Sequence, residues 1–260
     1  MKLLALLAVA LLATAAAPAK PKLRGTMDVA VARDGSLLIG DVSDRVFWLR
    51  GKKLTVAASI RFPVEVAIDP RGGFAALNNE TRIRRLDPSS GRMTTLAKGL
   101  AQVTALAFDA DGNVYFSELV GRVRRLDRAT GTITTLLAEG LDRPHGLVVA
   151  GGTLVICDTF NNRLVGIELE SGASRTYATG FDTPVDVERS RDGTLYVADY
   201  GNNRIARVAD GRGVTVATGI GANGIAVGPG GTIYFTERLL PRVRALNPAT
   251  GRIRTIVGSP

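Results

Sequence analysis

The residues able to do chemistry fall at matching points of a repeat. The single histidine, His145, lies in Pro144-His145-Gly146-Leu147, and Asn223 lies in the equivalent Ala222-Asn223-Gly224-Ile225. An imidazole can act as general base or metal ligand, or it can fill a polar gap by hydrogen bonding backbone. Glu65 and Asp186 join His145 as the candidate catalytic groups. Asp28, Glu65 and Asp186, with Asn223, are the oxygen donors available to a divalent cation, which wants several such ligands with carboxylates among them. The ring of strand-start residues, Asn223 and His145 with Met27, Val64 and Val185, makes a poor calcium site, and the alternative ring of Asp28, Glu65 and Asp186 could serve only if those side chains face inward. Whether the three carboxylates turn toward a central channel or toward the gaps between repeats is open at this level. No Ser nucleophile elbow, phosphate loop or Cys pair occurs. One cysteine, Cys157, cannot form an internal disulfide and is expected to pack as a small apolar residue.

The elements that must position these groups repeat six times. Each unit has a short apolar strand, a Gly turn, a second strand ending in Asp, Glu or Asn, and an Arg opening a third strand. The arginines are Arg45, Arg82, Arg122, Arg163, Arg204 and Arg242, spaced 37 to 41 residues apart, a period that marks propeller blades or solenoid units. Turns such as Asp34-Gly35, Asp111-Gly112 and Asp192-Gly193 join strands one and two, where Gly allows the positive φ of a tight hairpin. Turns such as Asp127-Arg128-Ala129-Thr130-Gly131 join strands three and four. No useful helical periodicity follows the first twenty residues. One four-stranded sheet of this size cannot bury both faces, so neighbours must stack and the ring must close. The expected fold is all-β: a six-bladed β-propeller of four-stranded antiparallel blades. The blades are expected at about 24–60, 61–99, 100–140, 141–180, 181–218 and 219–260. The last blade holds four strands of its own, and residues 20–25 are a candidate for an added strand there.

Strand direction places the residues before each first strand and the loops after each second strand on one face. Met27, Val64, Thr104, His145, Val185 and Asn223 should rim the channel, because strand one is innermost. The same face collects apolar loop residues: Leu119, Val120, Phe160, Tyr200, Leu239 and Leu240, with Phe62 and Phe181 entering from other loops. Clustered apolar loop tips suggest a contact surface, and packing against the neighbouring blade is the other use for them. The candidate ligand-binding residues are Thr104, His145, Asn223, Phe160, Tyr200, Leu239 and Leu240.

Lys2, the apolar run Leu3–Ala13 and the small residues ending Ala17-Pro18-Ala19 read as a secretory signal over residues 1–19. Its apolar core is too short to span a bilayer, which takes about 20 residues, so no transmembrane segment is expected after its removal. The expected location is periplasmic or extracellular. The formal net charge of +9 favours anionic partners, but export argues against nucleic acid. Arg84, Arg85, Arg124, Arg125, Arg207 and Arg244 form either an anion-binding flank or a solvated strand face. The repeated acid–Arg pairs, present in every blade, are expected to hold the blades together.

The segments Val197-Ala198-Asp199-Tyr200-Gly201-Asn202-Asn203-Arg204-Ile205 and Ile156-Cys157-Asp158-Thr159-Phe160-Asn161-Asn162-Arg163-Leu164 resemble the NHL repeat. Its signature is an acidic residue, a short turn with Asn, then Arg and an aliphatic residue. Blade six departs at Glu237-Arg238-Leu239-Leu240-Pro241-Arg242. The resemblance implies a propeller scaffold, and a scaffold hosts many functions. Gluconolactonase and regucalcin propellers are more distantly similar, and that likeness implies a metal-dependent lactonase or esterase at the channel mouth, with calcium or another divalent ion. Amidating lyases hold zinc with several histidines, a site one histidine cannot make, and streptogramin lyases also rely on more than one. The reading favoured by the sequence is an exported binding scaffold for a protein, peptide or glycan, with no cofactor required.

Overall fold

The computed structural model describes residues 21–61, 63–78, 81–87 and 90–259. The leader expected over residues 1–19 and the aromatic Phe62 lie outside them. The strands make six four-stranded sheets, every neighbouring pair antiparallel and in chain order. They span 26–59, 63–98, 103–137, 147–178, 184–218 and 222–258. A three-residue 3-10 turn, Thr159–Asn161, is the helical element among the described residues.

Alternation drives the stacking. The second strands Val114–Glu118 and Leu37–Asp41 are buried along their whole length. Fourth strands are largely exposed, as in Ser174–Ala178. Six apolar clusters fill the gaps between adjacent sheets. One joins Ile83 of the second sheet to Phe116 of the third, and another joins Val29 and Phe47 of the first to Val243 of the sixth. That last cluster closes the ring. Phe47, Phe116 and Phe235 are wholly buried in three different gaps, each worth about 1.5–3 kcal/mol of burial. The first hairpin turns need their glycines: Gly72 and Gly193 have φ of 96° and 93°, which other residues rarely adopt.

Residues 21–25 form no strand, contrary to the addition expected for the sixth sheet. That sheet already draws four strands from 222–258. Instead Leu23 packs with Val243 in the closing cluster, the Gly25 carbonyl accepts from Val42 N–H at 2.9 Å, and Thr26 N–H donates to the Leu240 carbonyl at 2.9 Å. A side chain at Gly25 would press on the Leu239 carbonyl, 2.8 Å from an added Cβ.

The repeated acids tie blades to linkers. Buried Asp199 accepts from Arg204 Nε at 2.6 Å, Asn202 Nδ2 at 2.9 Å and Asp182 N–H at 2.8 Å. Asp158 repeats this with Arg163 Nε, Asn161 Nδ2 and Asp142 N–H, and Glu118 with Arg122 Nε and Ala101 N–H. Glu237 takes Arg242 Nε at 2.7 Å. Asp41 serves backbone instead, accepting from the N–H groups of Arg24, Gly25 and Ser43.

Candidate functional site

Five of the six inner strands begin with a register shift, between Thr26 and Asp28, Pro63 and Glu65, Val103 and Ala105, Pro184 and Asp186, and Ala222 and Ile225; Leu147–Ala150 pairs without one. A bulge adds one residue and re-aims its neighbours. The residues there form the channel and also lock adjacent sheets together. Asp28 accepts from Val66 N–H of the second sheet at 2.9 Å, and Asp186 accepts from Ile225 N–H of the sixth at 2.7 Å. Glu65 is hydrogen-bonded by the backbone of Leu106. Where a carboxylate is missing, hydroxyls and an amide take over. Thr104 Oγ1 donates to the Pro144 carbonyl at 2.6 Å and Ser117 Oγ to that of His145 at 3.1 Å. Thr159 Oγ1 donates to the Pro184 carbonyl at 2.8 Å. Asn223 Nδ2 and Thr236 Oγ1 both reach the Met27 carbonyl, at 2.8 and 3.1 Å. Every junction of the ring therefore carries a polar bond near the axis.

The carboxylates face both ways. They bond the neighbouring blade and also line two cavities that meet at Asp28, Glu65 and Asp186. Below that waist a cavity of about 240 Å³ is walled by inner-strand apolar residues and Glu188. Above it a mouth cavity of about 280 Å³ contains Val64, Thr104, His145, Val185 and Asn223, with Leu119, Phe160, Tyr200, Arg143 and Arg238 at its rim. Gly146 and Gly224 make room for the acids. A Cβ on Gly146 would collide with Asp186 and one on Gly224 with Asp28.

Crowded carboxylates in a small cavity resist ionisation. Burial, then the mutual repulsion of these acids, pushes Asp28 and Glu65 well above the usual carboxylate range, against the opposing pull of their backbone donors. Burial raises Asp186 to about 7, and burial together with Asp186 raises Glu188 to about 8. His145 moves the other way: burial lowers it, the Arg143 carbonyl opposes, and Arg238 and Arg143 add to the lowering. His145 Nδ1 lies 2.9 Å from the Arg143 carbonyl and 3.1 Å from Thr159 Oγ1, whose own proton goes to Pro184. The network thus assigns the ring proton to Nδ1 and leaves Nε2 an acceptor.

Thr104, His145, Asn223, Phe160, Tyr200, Asp28, Glu65 and Asp186 come together at this mouth. Leu239 and Leu240 are exposed on the loop face, as expected, beside rather than within the cavity and on a loop bonded to Thr26. Three expectations fail. Met27 is buried and offers its carbonyl, not its side chain. Phe181 is 7% exposed and packs in the gap between the fourth and fifth sheets, against Gly213, where a Cβ would meet its ring at 2.5 Å. Among the described residues, no group of three or more His, Cys, Asp or Glu could hold a metal ion; Asp28 and Asp186 each commit one oxygen to a different blade junction. The residues do not fit the divalent site that Asp28, Glu65, Asp186 and Asn223 suggested.

Four of the six arginines of the expected flank are paired with acids. Arg85 pairs with Asp69, Arg124 with Glu118, Arg125 with Asp127 and Arg244 with Glu237, at 3.3–3.6 Å. Arg124 and Arg244 also lie over Phe116 and Phe235. Sequence reasoning overlooked Arg143, Arg238, Glu188, Ser117, Thr159 and Thr236. The hydroxyl residues had a signal, since each adjoins the repeated acid of its blade. The two arginines had another: both fall outside the repeat's arginine register.

The fold defines a β-propeller of four-stranded antiparallel blades. Residues 8–176 match the family model PQQ_2, outer membrane protein assembly factor BamB, and the chain belongs to that family. No curated protein matches it. Similar solved structures include the nidogen/laminin complex, at 17% identity over 86% of this chain and 93% of that one, with a TM-score of 0.76. A gluconolactonase from Xanthomonas campestris is 18% identical over 84% of each chain, TM-score 0.72. Virginiamycin B lyase from Staphylococcus aureus is 18% identical over 90% of this chain and 86% of that one, TM-score 0.67. At these identities the likeness is one of fold. Among the described residues no helix is long and apolar enough to cross a membrane.

Proposed function

We propose that the protein is an exported, periplasmic or extracellular six-bladed propeller of NHL-type repeats. It acts as a binding scaffold whose loop-rich face takes a protein, peptide or glycan, and a protein or peptide is favoured. The observation that carries this is the placement of exposed apolar residues. Val120, Phe160, Tyr200, Leu239 and Leu240 are 40–63% exposed, and all lie on loops after second strands. Phe160 and Tyr200 stand at the mouth cavity itself. Apolar side chains gathered on one face around a concavity are what partner surfaces offer. The family's description as an outer membrane protein assembly factor supports a partner among envelope proteins.

A second reading, hydrolysis of a lactone or ester at the same mouth, draws on His145, whose pKa burial lowers, beside the acids and on the gluconolactonase likeness. It has no metal-holding group behind it among the described residues. The test is affinity capture from an envelope extract, comparing wild type with a Phe160→Ser, Tyr200→Ser, Leu240→Ser variant of equal melting temperature. A partner retained by wild type and lost by the variant supports the scaffold. Equal capture by both overturns the assignment of this face.

A further inference from the structure

The mouth cavity has two poles. Arg143 and Arg238 stand at its rim, and Asp28, Glu65 and Asp186 form its floor. The repeat arginines Arg122, Arg163, Arg204 and Arg242 are each bonded to an acid. Among the described residues Arg143 and Arg238 have no carboxylate at ion-pair distance, and both bear on the same imidazole, His145. Arg143 is also held in place, its guanidinium 4.8 Å over the Phe160 ring and its backbone turned to φ 47° before Pro144. Stacking of this kind fixes the fork without consuming its hydrogen-bond donors.

We propose that this cavity binds a small zwitterion, a free α-amino acid or short peptide with an apolar side chain, its carboxylate at Arg143 and Arg238 and its ammonium toward Asp28, Glu65 and Asp186. This rests on the reading of the loop-rich face as a binding surface. Charge complementarity selects the ligand class: an anion satisfies only the rim and a cation only the floor. The volume of about 280 Å³ admits one or two amino-acid residues. Phe160, Tyr200 and Leu119 supply the apolar wall. His145 lines the same cavity with its Nε2 left as an acceptor.

The floor adds a signature. Burial raises its acids, Asp186 to about 7 and, with mutual repulsion, Asp28 and Glu65 well above the usual carboxylate range. An arriving ammonium favours their ionised form, so binding releases protons and tightens as pH rises from about 6 to about 8.

Isothermal titration with L-phenylalanine, L-leucine and glycyl-L-phenylalanine tests this, with N-acetyl-L-phenylalanine and L-phenylalaninamide as capped controls. At least one zwitterion should bind one-to-one. Each capped compound should bind at least about tenfold more weakly, as expected for losing a charge-assisted bond. Arg238→Gln and Asp186→Asn should weaken the zwitterion, and Arg207→Gln, on an exposed outer position, should not. Heats in buffers of different ionisation enthalpy should report proton release. Capped compounds binding as well as the zwitterion would overturn the two-pole account. Absence of zwitterion binding, with capture by the loop face intact, would sink this inference alone; absence of both would sink the scaffold reading with it.

Discussion

Replacing Asp199 by alanine should cost the ring more than any exposed ion-pair substitution. Asp199 is fully buried and accepts three donors: Arg204 Nε, Asn202 Nδ2 and Asp182 N–H. Asp199→Ala strands an arginine that is 16% exposed and orphans a linker N–H. Breaking a buried pair from one side costs about 3–5 kcal/mol. Arg204 keeps bonds to the Gly180 carbonyl and Thr215 Oγ1, which places the loss toward the lower end, about 3 kcal/mol. In a chain of this size that corresponds to a melting temperature about 6–12 °C lower. Arg175→Ala, which breaks the exposed pair with Glu168, should stay within about 1 kcal/mol. Urea unfolding followed by near-ultraviolet circular dichroism reads both. A loss below about 1 kcal/mol for Asp199→Ala would show that the acid–arginine pair is decoration and that the apolar gaps alone set the geometry.

Three further outcomes follow from the channel and its surroundings. The folded-state pKa of Asp186 is raised to about 7 and that of Glu188 to about 8, so at these two groups the folded state holds more protons than the unfolded one; their contribution to stability should be full below about pH 4 and be lost as pH rises through about 7–8. Glu188→Gln should flatten that profile in melts across the range, and a profile rising from pH 5 to 8 would contradict the buried acids. Gly146→Ala should destabilise by about 1–3 kcal/mol, because the new Cβ would lie 2.5 Å from Asp186 Cα; an unchanged urea midpoint would mean the gap has slack. Cys157 is buried and its thiol is pushed well up by burial and nearby acids. It should react with a thiol reagent only through opening of the fold, so labelling as fast as in the unfolded chain would refute its placement in the core.

Much of the architecture was legible because propellers write themselves into sequence locally. Gly35, Gly112 and Gly193 mark hairpins that need positive φ, and the apolar segments between them became strands at nearly the expected bounds. Val197–Asp199 and Arg204–Ile205 also carried the acid–arginine geometry. What stayed hidden depends on contacts between blades. Asp28 and Asp186 bond strands 38 and 39 residues away, and no local pattern says that a bulge will aim them both at the channel and at the next sheet. Phe181 looked like a loop residue because its partner, Gly213, is on a fourth strand that sequence order does not bring near. Leu239 and Leu240 were legible as exposed residues of the loop face, but not the docking of their turn on Thr26 of the first blade, which sets them beside the cavity. The charge of Arg124 and Arg244 was visible and their pairing was not.

The central claim, that the loop-rich face is the binding surface, is tested most directly by site-specific photo-crosslinking. A photoreactive residue placed at Tyr200, at the mouth, is compared in envelope extract with one at Thr130, in an exposed turn between third and fourth strands at the opposite end of its blade. The account predicts a discrete crosslinked product from position 200 and none from position 130. A product from position 130 alone, or equal products from both, would contradict it.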